Sequence, residues 1–106
     1  MPTEVKICGL KTAEAVDAAL DGGADYIGLV FFPRSPRHVD AKTALTLADR
    51  ARGQAKIVAL FVDPDDKALD SIIEIVQPDM IQLHGDESGP RVREIRKRFH
   101  LPVIKA

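Results

Sequence analysis

Cysteine occurs once in this 106-residue sequence. A single thiol excludes an intrachain disulfide framework and a multi-cysteine metal cluster. An excess of either charge is also missing: 15 Lys and Arg stand against 16 Asp and Glu, a net charge of −1. That balance argues against a general nucleic-acid or membrane surface. No apolar run approaches the roughly 20 residues that a membrane helix needs. The opening Met1-Pro2-Thr3-Glu4 lacks the basic and apolar regions of a signal peptide. A cytoplasmic location is therefore expected. Nucleotide-binding glycine patterns are missing too. The turn after the first apolar run, Gly9-Leu10-Lys11-Thr12, has one glycine where an open dinucleotide fold shows Gly-x-Gly-x-x-Gly. No Walker A pattern occurs.

What is present suits one small domain. Hydrophobic residues make up 45% and charged residues 29%, ordinary values for a globular chain. Four apolar runs predict parallel strands near residues 5–9, 26–32, 56–62 and 80–84. The second run, Tyr26 to Phe32, is continuous rather than alternating, as a strand covered on both faces should be. Helical spacing follows each run, after a loop at 33–39 in the second unit that holds Pro33 and Pro36. Thr12 and Asp40 suit helix N-caps. Asp63-Pro64 reads as an N-cap followed by a first-turn proline. The last helix begins near Ser88 or Pro90. Its cations Arg91, Arg93, Arg96, Lys97 and Arg98 read as a solvated outer face, because no aromatic residues interleave with them for base stacking.

Strand–helix alternation four times over predicts a parallel sheet with covering helices. An internal echo supports repeated units: Gly23-Ala24-Asp25-Tyr26-Ile27 resembles Gln77-Pro78-Asp79-Met80-Ile81. The missing dinucleotide turn favours a closed (β/α)8 barrel over an open sheet, and a barrel needs eight units. Leu101 to Ala106 reads as a fifth strand just begun. The expectation is an α/β fold in which residues 1–106 form the N-terminal part of one β/α-barrel domain, about four βα units and the start of the fifth strand.

Parity along the strands separates two faces. Val5 and Ile7 share one face, and Lys6 and Cys8 the other; Ile81 and Leu83 share one, and Gln82 and His84 the other. The apolar pairs are expected to face the helices and the polar pairs the barrel interior. Cys8 and His84 then fall at the C-terminal end, where barrel active sites are built. Each candidate also has a plain structural explanation. A lone cysteine is usually a small buried hydrophobe. A histidine at a strand end can be a satisfied structural residue. Lys6 can snorkel, and Arg37 can be a surface loop residue. A Cys–His nucleophile pair is conceivable, but no protease signature or nucleophile elbow accompanies it.

Four motifs taken together go further: Val5-Lys6-Ile7-Cys8-Gly9, Gly23-Ala24-Asp25, Phe32-Pro33-x-Ser35-x-Arg37 and Gln82-Leu83-His84-Gly85. In this order they closely resemble the phosphoribosylanthranilate isomerase family of tryptophan biosynthesis. The resemblance runs from the first strand to Val103-Ile104-Lys105-Ala106 and covers about half of the family's usual length. It implies an Amadori rearrangement of N-(5-phosphoribosyl)anthranilate, a small phosphorylated substrate, with no cofactor and no metal. It implies Cys8 as the general base that removes the C2′ proton. Thiols suit that task, because an ordinary pKa of about 8.5 needs only a modest push near neutral pH. Arg37 is implied to hold the anthranilate carboxylate, which suits its planar fork. Gln82, His84 and Lys6 are implied to line the substrate pocket. In the family the general acid is an aspartate of the sixth strand, and phosphate is held by loops after the last two strands. The resemblance leaves a homodimer open. It also leaves open a half-barrel that assembles without catalysis.

Overall fold

A computed structural model describes residues 3–106; Met1 and Pro2 of the opening stretch lie outside the described residues. The elements alternate as β1 (Lys6–Cys8), α1 (Ala13–Asp21), β2 (Tyr26–Val30), α2 (Ala41–Ala51), β3 (Lys56–Phe61), α3 (Asp66–Val76), β4 (Met80–Leu83), α4 (Gly89–Phe99) and β5 (Val103–Lys105). The strands lie in the order β1-β2-β3-β4-β5, and every neighbouring pair is parallel. Sequential order without reversal is what a barrel requires, whereas a doubly wound sheet switches direction. The strands are slightly shorter than the apolar runs, and 33–39 is a loop as expected.

Short polar side chains start the helices. Thr12 Oγ1 accepts from Ala15 N–H at 3.1 Å, Asp40 Oδ1 from Thr43 N–H at 2.7 Å, and Ser88 Oγ from Arg91 N–H at 3.2 Å. The third start differs from the sequence expectation. Asp65, not Asp63, caps α3, by accepting from Ala68 N–H at 2.7 Å. Asp63 instead takes a left-handed φ of 45°, incompatible with the extended backbone of an N-cap.

The internal echo has a structural meaning. Asp25 Oδ2 accepts from Val5 N–H at 2.8 Å, and Asp79 Oδ2 accepts from Ile57 N–H at 2.7 Å. The backbone N–H of each aspartate returns a bond, to Val5 O and Ile57 O, both at 2.8 Å. Each aspartate so clasps the start of the preceding strand. The residue two positions earlier, Gly23 or Gln77, is left-handed in both copies, with φ 84° and 51°.

Odd-numbered strand residues face the helices. Ile27, Leu29, Ile57, Phe61, Ile81 and Leu83 pack with Val16, Leu47, Leu69, Val76 and Ile95 in the core. The Phe31 and Phe61 rings stack 5.6 Å apart. Ile7 of β1, and Val5 just before it, share that parity but stay uncovered: Val5 is 42% and Ile7 38% exposed. Outside the core, Arg91 pairs with Asp66 at 2.8 Å and Arg98 with Asp70 at 2.7 Å, tying the cationic face of α4 to α3.

Even-numbered strand residues line the other face. There Lys6 Nζ donates to Gln82 Oε1. Three strand spacings of about 4.8 Å separate β1 from β4 in a flat sheet, too far for those side chains to meet. The sheet therefore curls toward this face. Among the described residues, no helix is long and apolar enough to cross a membrane.

Candidate active site

The curl produces a cavity of about 600 Å³ at the C-terminal end of the strands. Lys6, Cys8, Arg37, Gln82 and His84, the five residues singled out from the sequence, all line it. Val30, Phe32, Leu60 and Val62 give it apolar walls, and Ser35 completes the lining. Parity places Lys6, Cys8 and Gln82 on the concave face, and His84 follows at the end of β4. Gln82 is 7% exposed, and its carbonyl oxygen is satisfied by the Lys6 ammonium.

Arg37 reaches the cavity from the loop after β2, and that loop is well held. Val30 and His38 form a parallel bridge, and Val39 N–H donates to Val30 O at 3.0 Å. Ser35 organises the turn: its N–H donates to Phe32 O at 2.9 Å, and its Oγ accepts from Arg37 N–H at 3.0 Å. Lys11 Nζ adds a bond to Pro36 O at 2.8 Å. The guanidinium is thus carried on an ordered turn.

Two glycines give these side chains room, and a third gives room to Asp63 beside them. A Cβ on Gly28 would lie 2.6 Å from Cys8 Sγ. A Cβ on Gly9, whose φ is 83°, would overlap the Arg37 side chain at Cδ. A Cβ on Gly85, next to His84, would lie 2.6 Å from Asp63 Oδ2. Sequence reasoning did not single out Gly28 as part of the site. The available signal was its position inside an apolar strand, which marks a close approach by a neighbour.

Glu87 was also missed. Its side chain is only 1% exposed. It accepts from Asp63 N–H at 2.8 Å and Gly85 N–H at 2.9 Å, and Lys105 Nζ lies 3.3 Å away. Asp63 Oδ1 in turn accepts from Asp86 N–H at 2.9 Å. The loops after β3 and β4 and the end of β5 are thereby locked together beside His84. Burial acts most strongly on Glu87 and opposes its charge. The N–H groups of Asp63, Glu87 itself and Gly85, with the Lys105 ammonium, outweigh it and hold the carboxyl below its ordinary value.

The chemistry available is narrow. A thiol can exchange a proton, a guanidinium can grip a planar anion, and an imidazole, an amide and an ammonium can bond to hydroxyl or carbonyl oxygens. Among the described residues, no group of three potential metal ligands comes together.

Comparison with known proteins points to one family. The family model for N-(5'-phosphoribosyl)anthranilate isomerase matches residues 5–106. An enzyme of that name from Rhodopseudomonas palustris is 60% identical over all 106 residues, which make up 49% of its own length. The chain thus spans about half the length of the curated relatives it matches. A phosphoribosylanthranilate isomerase solved with reduced 1-(o-carboxyphenylamino)-1-deoxyribulose 5-phosphate superposes with a TM-score of 0.90 at 31% identity, covering 98% of this chain and 53% of that one. A monomeric form of the dimeric Thermotoga maritima isomerase gives 0.88 at 31% identity, covering 98% of this chain and 52% of that one. The five-stranded sheet is four βα units and the start of the fifth strand of a (β/α)8 barrel.

Proposed function

The chain belongs to the N-(5'-phosphoribosyl)anthranilate isomerase family, and from that premise we propose that it serves this isomerisation in tryptophan biosynthesis, as the N-terminal part of a single barrel domain. The substrate is N-(5-phosphoribosyl)anthranilate and the product 1-(2-carboxyphenylamino)-1-deoxyribulose 5-phosphate. The observation that carries the reading is the convergence of Cys8 and Arg37 on one apolar-walled cavity.

The reaction is an Amadori rearrangement. Protonation of the furanose ring oxygen opens the ring to a Schiff base. Cys8, as thiolate, then removes the C2′ proton, and the electron pair moves into the enolamine, which becomes the aminoketose. Arg37 holds the anthranilate carboxylate by two parallel N–H bonds. Phe32, Val30 and Leu60 provide the apolar wall for the anthranilate ring. Gln82, His84 and Lys6 contact the opened sugar. In the family pattern the acid and the phosphate grip belong to later strands, so the described sheet supplies the base and the carboxylate grip. A cytoplasmic location and a homodimer complete the proposal, the latter by likeness to the dimeric Thermotoga enzyme.

The test is Cys8→Ala in the polypeptide that completes the barrel. A base acts on a proton moving in the transition state, so turnover should fall about 10²- to 10⁴-fold with KM within a few-fold. The variant should also fail to complement a tryptophan auxotroph. Normal turnover would reduce Cys8 to a packing residue.

A further inference from the structure

We infer that Gly28 is a positioning residue for this chemistry: the bare backbone at that position seats the Cys8 sulfur on the concave face. The inference rests on the reading of Cys8 as the base.

Glycine at 28 has no conformational reason. The glycines with left-handed φ are Gly9, Gly23 and Gly53, so Gly28 sits in backbone that any residue adopts. Local preference opposes it as well, because glycine in a strand interior is costly relative to residues with side chains. Its neighbours Ile27 and Leu29 are fully buried core residues, so the strand is otherwise well formed. What remains is space. Gly28 is the register partner of Cys8 in the parallel β1–β2 ladder, and both lie on the concave face. A Cβ on Gly28 would meet Sγ at 2.6 Å, with Cys8 Cα at 3.2 Å and Cys8 Cβ at 3.3 Å. The nearest obstacle is therefore the sulfur itself. An alanine forces the thiol to turn about its χ1 or β1 to shift. Either movement relocates the group that takes the proton. The Arg37 seat on Gly9 is analogous, but φ 83° demands glycine there on backbone grounds alone. Gly28 is the position where seating separates cleanly from backbone strain.

The test compares Gly28→Ala with the parent and with Cys8→Ala, in the polypeptide that completes the barrel. Turnover should fall about a hundredfold, the usual cost of misplacing a reacting group by ~1 Å. KM should stay within about threefold, because the carboxylate grip is untouched. A generally loosened fold would not produce that split. Two further readouts do not depend on turnover. Iodoacetamide labelling of Cys8, followed by peptide mass spectrometry, should change in rate. The drop in unfolding midpoint caused by Gly28→Ala should be smaller in the Cys8→Ala background, where the clashing sulfur is gone. Unchanged labelling with equal midpoint drops in both backgrounds overturns the seat. Changed labelling and coupled stability with normal turnover overturns the assignment of Cys8 as base instead. If Gly28→Ala alone fails to fold, a folded Cys8→Ala/Gly28→Ala variant supports the seat, and an unfolded one overturns it.

Discussion

Two cavities of similar volume open at opposite ends of the sheet, about 600 Å³ at the C-terminal end and about 550 Å³ at the N-terminal end. The N-terminal one is richer in charge, with Glu4, Asp25, Arg52, Lys56 and Asp79 on its walls. Much of that charge is committed to the fold. Asp25 and Asp79 clasp strand starts. The Arg52 guanidinium donates to Gln77 O at 3.1 Å and also to Val76 O, closing the end of α3. At the other end Arg37 and His84 bond to the protein through backbone N–H groups, to Ser35 Oγ and Phe61 O, both at 3.0 Å. Their side chains are given to the cavity. Volume therefore does not mark the site, and neither does charge. What separates the ends is that the C-terminal one offers the Arg37 and His84 side chains to its cavity, although Lys6 and Gln82 there bond to each other.

Arg37→Ala gives the sharpest contrast. Losing a bidentate contact to a carboxylate, about 1.5–3 kcal/mol, raises KM about 10- to 150-fold. Stability should hardly change. Arg37→Lys should restore only part, since a point charge replaces one arm of the fork. Product analogues with and without the anthranilate carboxylate provide the check. Equal loss of affinity for both would sink the carboxylate assignment.

Asp79→Ala should behave in the opposite way. It leaves the N–H of fully buried Ile57 without its carboxylate partner, costing about 1–3 kcal/mol of stability. Denaturant unfolding should show the loss while kcat and KM of folded enzyme hold. A selective fall in kcat would break the division between the two ends.

Glu87 is the test within the C-terminal end, because it sits beside the candidate site but serves the fold. Its folded value lies below the ordinary 4.5. It therefore contributes stability that is complete above that ordinary value and is lost as pH falls through the lower folded one. Glu87→Gln should flatten the decline of the unfolding midpoint as pH falls below the ordinary carboxylate value, the smallest of these effects. An unchanged slope would show that the carboxylate is not coupled to folding.

The contrast also explains what the sequence could reveal. Strand parity put Lys6, Cys8, Gln82 and His84 on one face, because a period of two needs only local information. The barrel order followed from alternation and a missing glycine turn. Asp63 was misread because Asp-Pro has the chemistry of an N-cap and first turn, while Asp65 offers the same cap two residues later. Which aspartate wins depends on Glu87, whose carboxylate holds Asp63 N–H. Nothing in the sequence singled out Glu87 itself. Its partner Lys105 reaches it only once β5 has docked beside β4. Local rules read the faces; contacts across units decided the rim.

The aspartate clasps also bear on how the chain reaches this structure. Asp25 reaches back 20 residues to Val5, and Asp79 reaches back 22 to Ile57. Each closes a short loop between one strand and the next, and short closures carry little entropic cost beyond ordering the residues themselves. The ladder has the same locality, since every strand pairs with its immediate predecessor. Contacts of that kind form quickly compared with pairings between distant segments. The order of synthesis then matches the order of the ladder: each strand after the first leaves the ribosome when its preceding partner has already been synthesised.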